Sequence, residues 1–355
     1  MARLCFVLPV GGGGGGAHSV VQEVDAMRDL GIEAQVLVNQ RNAESFLASY
    51  DRFPWVHEGG MAAFDGGKEL AALLTGAEVA VATTNTSAFS IADALPALRG
   101  QGLRPAYYVQ DYEPLFYNAG SSEHAMAVAS YGVLPGCTCF AKTRWLASMI
   151  EAAHGHPTAL VIPSIDHGIY RPAPRHPGGP RRVSAMVRPA TPRRAPRRTL
   201  RLLARLASGE FGPVAVSAFG CTAEDLDQAG LTLPEGVTLL GRLRQVEVAA
   251  LLRATDAFLD LSDYQAFGRT AAEAMACGAM VLAPALGGAG DFIQDGVNGF
   301  LVSTTDEAAV AGAIRRMLSL SEAELRSLRL AALEAVAGFT PVRAAISELR
   351  ALGLG

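Results

Sequence analysis

Apolar residues along this chain gather into short runs that end in polar or glycine-rich loops, and the runs alternate with stretches of helical periodicity. Residues 4–10 are an apolar run, residues 11–16 are six consecutive glycines, and Val20, Val21, Val24 and Met27 then recur on one helical face. That pattern predicts a strand, a loop, a helix over 19–30 stopped by Gly31, and a second strand over 33–38. Further strands are predicted at 78–83, 105–109 and 138–141, with helices at 61–74 and, behind Thr143, at 143–153. The second half repeats the alternation: strands at 183–187, 214–219, 237–240 and 257–261, a helix at 245–254, and a small-residue helix followed by another apolar strand before residue 302. Helices close the chain at 306–318, at 322–337 behind Ser321 with Glu324 three residues on, and from Thr340-Pro341 to about 352. Strand and helix alternate throughout, which predicts α/β domains of the doubly wound type.

At 355 residues the chain exceeds one ordinary domain, and about 150 residues per domain gives two. The expected division is 1–172 and 181–337, with the proline-rich stretch at 172–180 as linker and His167 as an exposed loop residue. Half the residues are hydrophobic and 18% are charged, which suits covered parallel sheets and excludes global disorder. A net charge of −4 gives no general attraction to nucleic acid or acidic membranes. Five cysteines in apolar surroundings form neither a disulfide framework nor a zinc pattern, and Cys137-Thr138-Cys139 lacks a second pair. The apolar run after Arg3 is too short for an ordinary signal peptide. A cytoplasmic protein is expected, with peripheral membrane contact left open.

Candidate chemistry collects in loops that follow predicted strands. Glycines 11–16 lie between a first strand and a helix, where a bare main chain suits close approach of a phosphate or substrate, or simple flexibility. The loop 84–87 offers Thr86 or Ser87 as a helix cap, or as part of a ligand crevice. Gln110, Asp111, Tyr112 and Glu113 follow the strand at 105–109 beside Tyr107, Tyr108, Phe116 and Tyr117, a combination suited to a sugar, or to a capped loop over core aromatics. Nine arginines fall within 181–205. Those in the loop after the strand at 183–187 could clamp a diphosphate, whereas Arg197, Arg198, Arg201 and Arg205 read as the solvated face of the next helix. The loop 262–268 precedes a helix on which Glu273 is set among alanines, so that acid needs a polar partner such as sugar hydroxyls, unless it is exposed. No aspartate pair of metal-ligand spacing accompanies these features.

The stretch DLSDYQAFGRTAAEAMACGAMVLAPALGGAGDFIQDGVNGFLV at 260–302 resembles the nucleotide-binding signature of family 4 glycosyltransferases, which has two glutamates eight positions apart, then a glycine and a paired-glycine turn. Glu273 matches the second glutamate, and Gly278, Gly287 and Gly288 follow in place. Gln265 stands where that pattern has its first glutamate. YYVQDYEPLFY at 107–117, VRPATPRR at 187–194 and AFGRTAAEAMACG at 266–278 are similar to the bacterial subgroup containing rhamnosyltransferases of surface-glycan assembly.

The resemblance implies the GT-B arrangement, two Rossmann-like domains facing a cleft, with helix 340–355 crossing back onto the first. It implies a retaining transferase moving a hexose or deoxyhexose from a dTDP-, UDP- or GDP-sugar to a hydroxyl of a glycan, glycolipid or natural product, with no metal and no bound cofactor. Glu273 would bind ribose, and Arg188 and Arg193 the diphosphate. Gly14, Gly15, Gly16, Arg242, Ala266, Phe267, Gly268, Arg269, Gly287 and Gly288 complete the expected donor set. Gln265 would meet the transferred sugar, and glutamate there should be tolerated better than alanine. Asp111 is the candidate for the histidine that many relatives carry near the donor sugar, and Gln110 and Glu113 join it on the acceptor side. Two rivals remain at this stage, a silent sugar-nucleotide or glycan-binding protein and a GT-B epimerase.

Overall fold

The computed structural model describes residues 3–174 and 180–355. It divides into two units, Met1–Ser164 with Phe339–Gly355, and Ile165–Gly338.

The first unit is built on seven strands: β1 (Arg3–Val7), β2 (Glu33–Asn39), β3 (Met61–Phe64), β4 (Val79–Ala82), β5 (Arg104–Val109), β6 (Thr138–Ala141) and β7 (Thr158–Leu160). All pair in parallel, in the order β3-β2-β1-β4-β5-β6-β7. A parallel sheet carries helices on both faces, so its strands read as unbroken apolar runs. Leu4 to Val7 and all of β4 are buried accordingly. The second unit repeats the plan with β8 (Arg181–Met186), β9 (Val214–Phe219), β10 (Val237–Leu239), β11 (Ala257–Leu259), β12 (Met280–Pro284) and β13 (Phe300–Val302), ordered β10-β9-β8-β11-β12-β13. Both sheets reverse their winding beside their first strand, between β1 and β4 and between β8 and β11. In such sheets the crevice at the carboxyl ends of those two strands is where ligands bind.

Three differences from the sequence reading have local causes. Residues 61–64, expected to be helical, form edge strand β3, with Met61 opposite Val36. Gly66, at a φ of 89°, then delays the helix to Gly67–Leu74. The first unit ends at Ser164 and not near 172, because Tyr170 is buried in the second unit and the Ile169 carbonyl accepts from Arg253 Nη1 at 2.9 Å. Of the proline-rich stretch, residues 175–179 lie outside the described residues. His167 is half-buried.

The last helix, Pro341–Ala351, packs on helix Gly15–Asp29 of the first unit, where Ala345, Leu349 and Leu352 enter the core. Ser347 Oγ fixes it by accepting from the Ile162 N–H at 2.8 Å. All five cysteines are free, Cys137 half-buried and the rest buried. Burial pushes the Cys5 thiol up to about 11, so it is a packing group and no nucleophile.

Candidate functional site

In the second unit β8 delivers the arginine loop and β11 delivers the loop from Asp260 to Gly268. Because those strands are neighbours, the loops meet at the reversal. The Asp263 N–H donates to the Arg193 carbonyl at 2.8 Å, and the Arg193 guanidinium lies 6.0 Å from the centre of the Tyr264 ring. Arg198, on helix Pro196–Ala207, fastens the pair: its Nε donates to the Leu261 carbonyl at 3.1 Å and its Nη2 pairs with Asp263. The solvated face expected of Arg198 is therefore wrong. Arg197 and Arg201 are exposed, and Arg205 is held by Glu210 through two hydrogen bonds.

Arg188, which opens the loop, has its Nε 3.3 Å from the Met186 sulfur. Crowding by burial, then the charge of Arg242, pushes its guanidinium below the ordinary arginine range, although its surface stays open to solvent. Arg242 is held in a fork by Asp225, with Nε to Oδ2 at 3.1 Å. One arginine beside another is a place for an anion.

Gln265 is buried at 7% exposure. Its amide nitrogen donates to Asp260 Oδ2 and, at 3.1 Å, to Ser262 Oγ. Ser262 is in turn bound to Asp260 Oδ1 by its hydroxyl and, at 3.0 Å, by its N–H. The Thr304 hydroxyl holds the Ser262 carbonyl at 2.8 Å. Gly287 lies against the main chain of this loop, with a φ of 113°, and a Cβ there would stand 2.1 Å from the Gln265 carbonyl oxygen. The Gly288 N–H donates to that same oxygen at 2.8 Å. The paired glycines thus seat one loop on the other. Ala266 and Phe267 are buried, Phe267 against Phe292 at 5.3 Å between ring centres. Gly268, at a φ of 92°, starts helix Arg269–Ala276.

That helix is buried from Ala271 to Ala276, Glu273 included. The polar partner demanded by the sequence is present within the chain: Arg269 Nε donates to Glu273 Oε1 at 2.9 Å, and the Tyr170 hydroxyl adds a bond. Burial pushes the Glu273 carboxyl up, and Arg269 opposes the shift.

In the first unit, Gly14 ends the turn before helix Gly15–Asp29 without a side-chain cap. Gly13 and Gly14 face open space, whereas a Cβ at Gly16 would come within 3.1 Å of the Gln110 amide. Asp111 Oδ1 accepts from the Tyr112 N–H at 2.9 Å. Glu113 Oε2 accepts from the Asn85 N–H at 3.0 Å and so caps helix Asn85–Ala94, whose own N-cap is Thr84. Tyr107 and Tyr108 are core residues, so of the aromatics expected to form a sugar-binding surface only Tyr112, Phe116 and Tyr117 reach the surface. The Tyr112 hydroxyl lies 3.0 Å from His154 Nε2.

Sequence reasoning missed Asp260, Ser262, Arg198 and Tyr170. The one available signal was position, since Asp260 and Ser262 follow β11 directly. Among the described residues no group of three or more His, Cys, Asp or Glu is gathered to hold a metal, and no single helix is long and apolar enough to cross a membrane.

Residues 223–329 match the family described as Glycosyl transferases group 1. The O-antigen biosynthesis protein RfbC of Myxococcus xanthus is 34% identical over 211 residues, which is 59% of this chain and 16% of that protein. A D-inositol 3-phosphate glycosyltransferase of Mycobacterium tuberculosis is 33% identical over 191 residues, 49% of this chain and 39% of that one. The matched stretch spans less than half the length of either relative. Among solved structures, HepE of Anabaena in complex with UDP and glucose superposes with a TM-score of 0.78 at 18% identity, covering 99% of this chain and 100% of that one. The lipopolysaccharide outer core galactosyltransferase WaaB gives 0.69 at 14% identity, covering 99% of both. At those identities the likeness is one of fold. Two parallel Rossmann-like sheets give this chain the GT-B fold, and residues 223–329 of its second unit are similar to the group 1 glycosyltransferases.

Proposed function

We propose that the chain is a retaining, metal-independent glycosyltransferase of family 4 that moves a hexose or deoxyhexose from a nucleoside-diphosphate sugar to a hydroxyl acceptor. The observation that carries this reading is the arginine loop at the winding reversal of the second unit, where Arg188 has Arg242 as its charged neighbour. Asp225 already pairs with Arg242, so a diphosphate there would answer the charge of Arg188 and take donors from Arg188 and Arg193 in the place a divalent ion would otherwise fill. Glu273 would take the ribose hydroxyls, with Arg269 and Tyr170 keeping the carboxylate in place. Asp111, with Gln110 beside it, serves the acceptor side. Glu113 supports that loop through its cap. HepE, whose structures carry UDP-glucose or UDP with glucose, lends support to a nucleotide-sugar donor.

In the reaction the bond from the anomeric carbon to the diphosphate breaks as the acceptor oxygen bonds that carbon on the same face. The acceptor proton passes to the departing phosphate oxygen. Fixed positive groups favour this step because the leaving group gains charge as the bond stretches. Incubating the protein in EDTA with UDP-, dTDP- and GDP-sugars and candidate acceptors, then reading the product by NMR, tests it. The expected product keeps the donor's anomeric configuration. An inverted product contradicts the mechanism, and transfer seen only with magnesium contradicts the arginine clamp.

A further inference from the structure

We propose that Asp260 is a positioning residue for the donor sugar, and that Asp260 and Gln265 form a matched pair in which the carboxylate at 260 fixes the amide at 265. The inference rests on the donor-site reading above and deepens it. An amide has two N–H donors and one carbonyl acceptor. At Gln265 both donors are committed, one to Asp260 Oδ2 and one to Ser262 Oγ. The Ser262 hydroxyl spends its proton on Asp260 Oδ1, so it can only accept from Gln265. Turning the amide over would set its oxygen against the Asp260 carboxylate. The network therefore allows a single amide orientation, and the Oε1 atom alone is left for a ligand. Gln265 acts as an acceptor with no net charge, turned toward the hydroxyls of the transferred sugar.

The consequence bears on the expectation that glutamate at 265 is tolerated better than alanine: at neutral pH a carboxylate there should be harmful. A carboxylate there would sit within hydrogen-bond reach of Asp260 with no proton between them, and like charges so close raise the pKa of the pair until one group takes a proton. Glutamate at 265 becomes acceptable once residue 260 donates, which Asp260→Asn provides.

The test is a reciprocal exchange: Asp260→Asn, Gln265→Glu and the double variant, each assayed for turnover of UDP-glucose, dTDP-glucose and GDP-mannose and for melting temperature between pH 5 and 8. Each single variant is expected to lose at least about tenfold in kcat/KM, with affinity for the free nucleoside diphosphate changed less than about threefold. The double variant is expected to recover most of that loss. Gln265→Glu is expected to be less impaired at pH 5, where a proton shared between the two carboxyls restores a donor, than at pH 8, where that proton is held less often. Losses that simply multiply in a folded double variant overturn the proposal, as does a Gln265→Glu protein as active as wild type at pH 8. If wild type turns over no donor, the functional reading fails on its own. The pair is then judged by stability, where the double variant must melt above the sum of the single losses.

Discussion

Gly287 shows how little freedom the site leaves to single residues. Its φ of 113° and the 2.1 Å gap between a Cβ at that position and the Gln265 oxygen combine backbone strain with a clash against main chain, which cannot rotate away. Gly287→Ala should cost at least about 3 kcal/mol of stability and displace the Gln265 loop, read by chemical denaturation and by loss of nucleotide binding. Gly13, which faces open space, meets no neighbour, so Gly13→Ala should show only the milder penalty of its positive φ, about 1 kcal/mol. The sequence pointed to Glu273 and the arginine loop because each follows a strand or lies on the helix after one, and to Gln265 through the resemblance alone. It could not show that Glu273 already has Arg269 and Tyr170, or that Asp260 holds the Gln265 amide, since side-chain partners are set by tertiary packing and leave no period in the sequence.

Whole elements were most legible where burial on both faces gave unbroken apolar runs, as in β1 and β4. Short edge elements were not. The run Met61–Phe64 has too few residues to separate strand from helix by period, and the hydrogen-bonding edge of β2 decided it. That the last helix crosses back onto the first unit was expected from resemblance alone, and the structure gives its chemistry. Glu348 on that helix is wholly buried beside Glu23, which takes hydrogen bonds from the Tyr108 hydroxyl at 3.1 Å and from Ser164, and has Lys142 Nζ at 3.8 Å. Burial first, and then the Glu23 charge, pushes the Glu348 carboxyl well up. The folded state thus holds a proton that the unfolded state releases above the ordinary glutamate range. Stability from this group is full at low pH and falls as pH rises from that range through the raised folded value. Glu348→Gln, neutral at every pH, should therefore melt higher than wild type at pH 8, with the difference shrinking toward pH 5. A constant difference across that range would place the effect in packing instead.

At the scale of the molecule, one winding order serves both units, and it explains why the candidate residues fall where they do. The loops after β1 and β4 and those after β8 and β11 flank the two reversals, so the glycine run and the arginine loop occupy equivalent places in their sheets. In the second unit that place carries charge suited to a diphosphate. Calorimetry of UDP, dTDP and GDP in EDTA, on wild type and on Arg188→Ala, tests this most directly. At least one of the three is expected to bind wild type without metal, and Arg188→Ala to weaken it by about 10 to 150-fold, the equivalent of about 1.5–3 kcal/mol for a hydrogen bond to a charged group. Binding that needs magnesium, or that is unchanged in Arg188→Ala, would contradict the arginine clamp.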